Sequence, residues 1–345
     1  MRIILLGTIL ATSLLNTGVV NAQKSKKSST PVTAVEKVDI NKAFKNWKPR
    51  NIGPASMSGR VTTIDVEVNS PNNIWIGAAS GGVWKTNNSG VSWTPVFEDQ
   101  PIMNIGSLAI QQSNPSVVWV GTGEGNPRNS ISIGEGMYKT LDAGRTWKRV
   151  GLEQTRNIHR VIIDPTNPDV VYVGVHGDAW SDTEDRGVFK TTDGGKTWKC
   201  LGLEATKTIH RIIVNPKNSQ EVYVAAMGSV WGPNDARGVY KTTDGGKTWN
   251  KILYTNASSG CADLVMDPSN PNKLFACMYD YQRQPWTFRS GGPGSGLYVT
   301  YDAGQTWKKL GAESGLPEGE LGRIGIAIPR NQPSRVYALV EAKKS

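Results

Sequence analysis

The sequence predicts an all-β fold of the β-propeller type, built from blades of four antiparallel strands. Three observations support this prediction. The nine letters KTTDGGKTW occur twice, at 190–198 and 241–249, and looser copies end at Trp93, Trp147 and Trp307. Successive tryptophans in these copies stand 54, 51, 51 and 58 residues apart, and a period near fifty is typical of propeller blades. The 38 glycines and 19 prolines among 345 residues suit many short strands and turns.

The nine-residue motif has the chemistry of a tight turn between two strands. In its first exact copy, Asp193 offers a short carboxylate, while Gly194 and Gly195 can adopt the positive φ that such a turn requires. The hydroxyls of Thr191 and Thr197 can bond to this carboxylate or to the amides of the loop. The aspartate is therefore predicted to hold its own turn and not to react.

A tryptophan ends every copy of the motif, where its ring can wedge between neighbouring blades and bury about 150–250 Å². The first copy has Asn88 where the others have aspartate, and a looser turn is expected there. The residues predicted to be structural are Asp142, Asp193, Asp244, Asp302, Trp147, Trp198, Trp249 and Trp307.

The pattern S/T-x-D-x-G-x-T-W resembles the Asp-box, or bacterial neuraminidase (BNR) repeat, of β-propellers. Copies that match it throughout lie at 140–147, 191–198, 242–249 and 300–307. Similar propellers include sialidases, xyloglucanases, photosystem assembly factors and the N-terminal, luminal propeller of sortilin-type sorting receptors. The resemblance implies blades in which the Asp-box turn joins strands C and D. It carries no activity by itself, because the motif belongs to the scaffold.

The N-terminus predicts export. Within the first 22 residues, Arg2 precedes an apolar run, and Val20 and Ala22 suit a cleavage site, as in a signal peptide. The apolar run is too short and too interrupted to span a membrane. A polar linker is predicted at 23–43, followed by the propeller at 44–345. We therefore expect a secreted or periplasmic protein without a membrane span.

Strand patterns predict the number of blades. Apolar alternation bounded by turn residues marks four strands per unit, A to D, and the segments 321–328 and 334–340 supply strands A and B of a sixth unit. An outermost strand starting near Trp47 is assigned to the last blade. The expected fold is therefore about five complete blades plus a partial one, as a fragment of a larger ring.

The formal net charge of +10 leaves two interpretations open. Many of the basic residues recur at turn positions, where they form either a face that attracts anions or a solvated rim. No motif with stacking aromatics on a basic sheet is present, so a nucleic-acid partner is not expected. The expected partner is a peptide, a protein or a glycan, bound by a monomer.

Candidate binding residues lie in the long B–C connections, which share one face of a propeller with the D–A connections. Trp180 and Trp231 stand at matched positions in two of these loops, and Trp286 lies in a third. Exposed tryptophans suit stacking on sugar rings or gripping of peptide side chains. The alternative is that the rings pack over the neighbouring blade.

Four arginines, Arg60, Arg160, Arg211 and Arg323, fall at or near the start of strand A. A cluster of these side chains in the central channel would favour recognition of a carboxylate or phosphate. In the alternative, each arginine pairs with a carboxylate or carbonyl of the next blade.

The function that we favour from sequence is a secreted binding module, similar to the sortilin-type propeller, that recognises a peptide or glycan on the D–A and B–C loop face. The alternative is a sialidase- or xyloglucanase-like glycoside hydrolase, which needs two carboxylates about 5–5.5 Å apart for retention or about 6.5–9.5 Å apart for inversion. Enzyme status stays open, and no cofactor is expected. Weak candidates for the carboxylates are Asp178, Asp182, Asp185, Asp235 and Asp280.

The cysteines and histidines say less about the function than the residues above. Cys261 on strand A and Cys277 on strand B of one unit are predicted to lie nearly opposite each other, so that a disulfide and two buried thiols both fit. His159 and His210 occupy matched repeat positions, whereas His176 lies in a different connection. Because no spacing typical of metal ligands is present, no metal site is predicted.

Overall fold

A computed structural model describes residues 59–126, 128–181 and 183–343. The predicted signal peptide, the linker, the strand near Trp47 and Asp182 lie outside the described residues. Within the described part there are two short 3-10 turns, Glu204–Thr206 and Ala312–Ser314, no α-helix, and six antiparallel sheets in chain order. The predicted all-β propeller is therefore confirmed as a partial propeller, with five complete blades and two strands of a sixth.

The strands of the first three blades are β1 Val61–Val66, β2 Ile74–Ala78, β3 Gly82–Thr86, β4 Thr94–Pro95, β5 Ile105–Ile110, β6 Val118–Thr122, β7 Met137–Thr140, β8 Lys148–Arg149, β9 Ile158–Ile163, β10 Val171–Val175, β11 Gly187–Thr191 and β12 Lys199–Cys200. Those of the remaining blades are β13 Ile209–Asn215, β14 Asn218–Ala226, β15 Gly238–Thr242, β16 Asn250–Leu253, β17 Ser259–Asp267, β18 Asn270–Gln284, β19 Thr287–Ser290, β20 Gly296–Thr300, β21 Lys308–Leu310, β22 Leu321–Ala327 and β23 Tyr337–Ala342.

The core lies between successive blades. Along β10, Val171, Val173 and Val175 pack towards the second blade, whereas Tyr172 packs towards the fourth. Alternate side chains of a strand point to opposite faces of its sheet, so the central strands of an inner blade are buried on both sides. This is why these segments of the sequence read as short apolar runs.

The fifth blade carries an additional hairpin. Strand β18 continues beyond the blade and pairs with β19, with Gln284 opposite Thr287. Trp286 lies at the tip of this hairpin and is 80% exposed. The tip reaches a loop of the second blade, where the Asn129 side-chain amide donates to the Pro285 carbonyl at 3.1 Å.

The Asp-box turns have the hydrogen bonds that the sequence predicts. The Asp193 carboxylate accepts from the Thr191 hydroxyl at 2.7 Å, from the Thr197 amide at 3.0 Å and from the Thr197 hydroxyl at 2.6 Å. These donors hold the pKa of the Asp193 carboxyl well below its usual range. Asn88 accepts the same way from Thr86 and Ser92, so the looser first turn that we expected is not observed.

Three Asp-box tryptophans also join one blade to the next. Each indole N–H donates to a main-chain carbonyl that follows the outer strand of the preceding blade: Trp147 to Val96 at 2.6 Å, Trp198 to Val150 at 2.7 Å and Trp249 to Leu201 at 2.9 Å.

The two faces of the propeller are defined by hydrogen bonds between connections. An Asp-box turn bonds to the A–B turn of its own blade, as in the 3.0 Å bond from the Gly194 amide to the Asp169 carbonyl. On the opposite face, the D–A and B–C connections meet, as in the 2.8 Å bond from the His176 amide to the Asn157 carbonyl. The loops with the candidate tryptophans thus face away from the Asp-box turns.

We expect Asp244→Ala to lower the melting temperature, whereas Asp244→Asn should retain most of the stability. In the first turn, the amide oxygen of Asn88 already acts as the hydrogen-bond acceptor. An alanine side chain at position 244 has no acceptor for the Thr242 and Thr248 donors. Thermal denaturation followed by circular dichroism measures both variants. Equal melting temperatures for the two variants would show that the acceptor atom is unimportant.

Of the two alternatives that the sequence left open for Cys261 and Cys277, the structure has the buried thiols and not the disulfide, because the two side chains lie on opposite faces of their blade. A bulge follows Cys261, which pairs with Met278, and Cys277 pairs with Asp263. Cys261 packs against the fourth blade and Cys277 against the sixth. Both are free and buried, and burial raises the pKa of each thiol. Cys200 is also free.

Candidate functional site

A cavity of about 340 Å³ lies on the D–A and B–C loop face, between the second, third and fourth blades. Its residues come from three successive B–C connections and from the D–A segments beside them. Lining residues with polar or aromatic side chains are Glu124, Asn157, His176, Trp180, Ser181, Arg186, Lys207, Thr208, Ser229 and Trp231.

Trp180 and Trp231 stack on each other at this cavity. Their ring centroids are 4.7 Å apart and their planes are 29° from parallel. The Trp231 indole N–H donates to the Ala179 carbonyl at 2.7 Å, and this bond fixes the Trp231 ring, which lies below that of Trp180. Trp180 remains 58% exposed. The structure therefore combines both interpretations, because one ring packs between loops and supports a second that is open to a ligand.

Two buried arginines, which the sequence analysis did not single out, hold the tryptophan loops in place. The Arg237 guanidinium donates to the carbonyls of Ser229 at 2.7 Å, Gly232 at 2.9 Å and Ser258 at 2.9 Å. Arg186 occupies the equivalent place one blade earlier and also donates to carbonyls of its own loop. The sequence signal was the repeated R-G-V-F/Y-K, in which an arginine precedes the glycine that begins strand C.

Glu124 is the carboxylate that lines the cavity among the described residues. It is fully buried, and both of its oxygens accept from Arg60, at 2.7 and 2.6 Å. The Asn157 side-chain amide donates to the Glu124 main-chain carbonyl at 2.6 Å. The two charged residues are 64 positions apart in sequence and belong to adjacent blades, so no local pattern indicated the pair.

The structure does not bring the four candidate arginines together. Arg60 precedes β1 and pairs with Glu124, while Arg211 donates through Nε to Asp263 at 2.7 Å. These two follow the alternative in which an arginine bonds to the next blade. Arg323 is exposed. Arg160 has no salt bridge among the described residues.

Among the described candidates, Asp178 is the carboxylate closest to Trp180 in sequence. It accepts from the Trp180 amide at 2.9 Å, and the Arg156 Nε lies 3.8 Å from its other oxygen. The hydrogen bond from the Trp180 main-chain N–H is the main reason why the pKa of the Asp178 carboxyl lies below its usual range. Asp178 therefore stays ionised at neutral pH.

None of the described candidate carboxylates, Asp178 included, is among the residues that line the cavity. Asp235 accepts from the Tyr254 hydroxyl at 2.9 Å. Asp280 is buried in the fifth blade and forms an ion pair with Arg289. Asp185 is half-buried. No pair formed from these carboxylates lines the cavity among the described residues.

Three histidines lie together at the cavity: His159 and His210, which occupy matched repeat positions in the sequence, and His176, which lines the cavity. The ring centroid of His159 is 4.9 Å from that of His176 and 4.6 Å from that of His210. Burial lowers the pKa of all three, to about 4 for His176. The His176 Nε2 lies 2.9 Å from the Ile209 carbonyl and hence carries a proton. In the described ranges, no group of His, Cys, Asp or Glu is arranged to hold a metal ion.

The sequence of this chain is similar to a known family model and to several curated proteins. The family model Sortilin-Vps10, described as sortilin, neurotensin receptor 3, matches residues 186–316. A curated relative, the oligoxyloglucan-reducing end-specific xyloglucanase of Emericella nidulans, is 25% identical over 64% of this chain and 29% of its own length. The xyloglucanase of Hypocrea jecorina is 26% identical over 52% of this chain and 24% of its own length. The chain thus spans less than a third of these relatives.

Solved structures agree with the fold. The GH74 xyloglucanase of Xanthomonas campestris superposes with a TM-score of 0.61 at 16% identity, over 82% of this chain and 42% of that one. The Niastella koreensis GH74 enzyme gives a TM-score of 0.54 at 20% identity, over 73% of this chain and 37% of that one. The chain is therefore a BNR-type β-propeller with a glycosyl hydrolase-like fold. The sortilin-type binding module that we favoured from sequence is not confirmed, and the relatives favour the glycoside hydrolase alternative.

No helix among the described residues is long and apolar enough to cross a membrane.

Proposed function

We propose that this chain is part of a glycoside hydrolase of the β-propeller type, and that its D–A and B–C loop face binds a β-glucan polysaccharide of the xyloglucan class. The stacked pair Trp180 and Trp231 beside the cavity carries this proposal. The names of the curated relatives supply the substrate class. The predicted signal peptide agrees with action on a polymer outside the cytoplasm, and we include export in the proposal.

The physical basis for sugar binding is the shape and chemistry of the platform. The flat apolar face of a pyranose ring buries well against an indole, and Trp180 is exposed while its position is fixed by Trp231 below it. Hydroxyl groups of the sugar need donors and acceptors around the platform. Ser181, Lys207 and Ser229 line the cavity and supply them.

For the chemical step, Asp178 is the described candidate best suited to act as a base or nucleophile. It lies two residues before Trp180, and its lowered pKa keeps the carboxylate ionised at neutral pH. Glu124 is less suited, because Arg60 occupies both of its oxygens. We therefore assign Glu124 to positioning of the loops.

We expect Trp180→Ala to weaken binding of xyloglucan oligosaccharides by roughly fivefold, about 1 kcal/mol for one lost stacking face. Isothermal titration calorimetry measures the affinity. Tyr301→Ala is the matched control, since Tyr301 is 65% exposed and lies in an Asp-box turn on the opposite face. Unchanged affinity in Trp180→Ala, or an equal loss in Tyr301→Ala, contradicts the assignment of the platform.

The same samples test hydrolysis. Release of reducing ends by the unmodified chain that disappears in Asp178→Asn, with oligosaccharide affinity retained, would support Asp178 as a catalytic residue. Retained release in Asp178→Asn would exclude that role and leave the platform proposal unaffected.

A further inference from the structure

A second, larger cavity lies on the other side of the inner strands. Its volume is about 520 Å³, and it opens between the A–B turns of the third, fourth and fifth blades, where Pro165, Pro216 and Pro268 lie at its edge. The walls come mainly from β9, β13, β17 and β22 and are mostly apolar. Besides Arg160, the charged residues that these strands contribute are paired, Arg211 with Asp263 and Asp267 with Lys273. This cavity is on the Asp-box side, so it is separate from the proposed sugar platform.

Arg160 extends into this cavity from β9. Its equivalent in the fourth blade is Arg211 and in the fifth blade Asp263, because each of these residues follows the same bulge at the start of strand A. Arg211 and Asp263 pair with each other at 2.7 Å. Arg160 is left without a salt bridge in the described part of the chain, and its Nε is buried without a hydrogen-bond partner.

The two carboxylates that act on Arg160 electrostatically, Asp65 and Asp263, are bound elsewhere. Asp65 accepts from the amides of Val66 and Ile110, both at 2.9 Å. Asp263 accepts from Arg211 and from the Ile326 amide at 3.0 Å.

Among the described residues, Arg160 therefore carries a guanidinium without a salt bridge into a mostly apolar cavity, in which Arg211 and Asp263 neutralise each other. Burial lowers the pKa of its guanidinium to about 10, which still leaves it protonated at neutral pH. An unpaired buried cation is costly, and an anion that reaches it makes strong charge-assisted bonds.

We propose that this cavity binds an organic carboxylate with an apolar body, with the carboxylate at Arg160 and the apolar body against the walls formed by the inner strands. The planar guanidinium matches a carboxylate through two parallel N–H donors. Arg330 at the edge of the cavity adds a second positive charge. Ile162, Met266 and Ile328 supply apolar surface for the body of the ligand.

Octanoate is a suitable probe, with acetate as the head group alone and 1-octanol as the neutral chain. We expect the 345-residue chain to bind octanoate more tightly than either, by titration calorimetry. Arg160→Gln should weaken octanoate binding about tenfold or more, as expected for a lost charge-assisted bond. Arg145→Gln is the matched control, since Arg145 is an exposed arginine of an Asp-box turn.

Each possible result of these titrations either supports the proposed carboxylate site or overturns it. Octanoate affinity that falls in Arg160→Gln and persists in Arg145→Gln supports the site. No octanoate binding, equal affinity in Arg160→Gln, or 1-octanol binding as tightly as octanoate overturns it. If Arg160→Gln does not fold, the comparison of octanoate with 1-octanol on the unmodified chain decides. None of these results depends on the sugar platform, because the probes address the opposite face.

Discussion

Lowering the pH from about 7 to about 4 is expected to reduce the free energy of unfolding by about 3 kcal/mol from His176 alone. The folded-state pKa of His176 is lowered to about 4, because burial disfavours the charged ring. The unfolded chain takes up this proton near the ordinary pKa of about 6.5. The stabilisation is therefore complete above pH 6.5 and is lost as the pH falls towards 4. His159 and His210, whose pKa values are also lowered, act in the same direction.

Urea denaturation at a series of pH values measures this loss. His176→Gln is the comparison, since a glutamine amide can donate to the Ile209 carbonyl and remains neutral throughout. The variant should show a shallower dependence of stability on pH between 6.5 and 4. The Asp-box carboxylates Asp142 and Asp302, with pKa values of about 2, remain ionised in this window. An equally steep dependence in the variant would contradict the role of His176.

Replacing Arg237 with Ala is expected to lower the free energy of unfolding by about 3 kcal/mol or more. The side chain is fully buried and donates to the main-chain carbonyls of Ser229, Gly232 and Ser258. Its guanidinium also lies over the Tyr281 ring, 4.9 Å from the centroid. Because Ser229 and Gly232 flank Trp231, the same change should disorder the tryptophan platform and weaken sugar binding.

Equilibrium denaturation and calorimetry on the same samples test both parts of this prediction. Arg237→Lys keeps the charge but not the geometry of a fork, and we expect it to be nearly as unstable as the alanine variant. Arg145→Ala, at an exposed position, should unfold like the unmodified chain. The prediction fails if Arg237→Ala and Arg145→Ala have the same stability.

The fold could be predicted from the sequence because the Asp-box turn, its main repeated motif, is formed by residues that are close together in sequence. All atoms of an Asp-box turn come from seven consecutive residues, so the spacing of Thr191, Asp193 and Thr197 already contains the hydrogen bonds. The regular period then fixes how many blades these turns join. The sequence also places Trp180 and Trp231 on one face, since the order of strands in a blade determines which connections share a face.

The site could be predicted only in part, because its decisive contacts join different blades. The pairing of Arg60 with Glu124 and the contact of His159 with His210 depend on how adjacent sheets pack. The two alternatives at Cys261 and Cys277 could not be decided from the sequence for a different reason. One residue inserted by the bulge shifts the side chains to opposite faces of the blade, and counting from the turn does not reveal a bulge.

The hydrogen bonds from indole N–H groups to the preceding blade have a consequence for the evolution of propeller chains. In each of the three joints, the acceptor is a main-chain carbonyl, so the joint does not require a particular side chain in the preceding unit. A duplicated unit brings its own indole donor and offers its own carbonyl acceptor, so this bond itself needs no matching substitution in a neighbouring unit. Duplication or loss of a unit therefore leaves this kind of bond intact, while the loops on the opposite face can diverge independently.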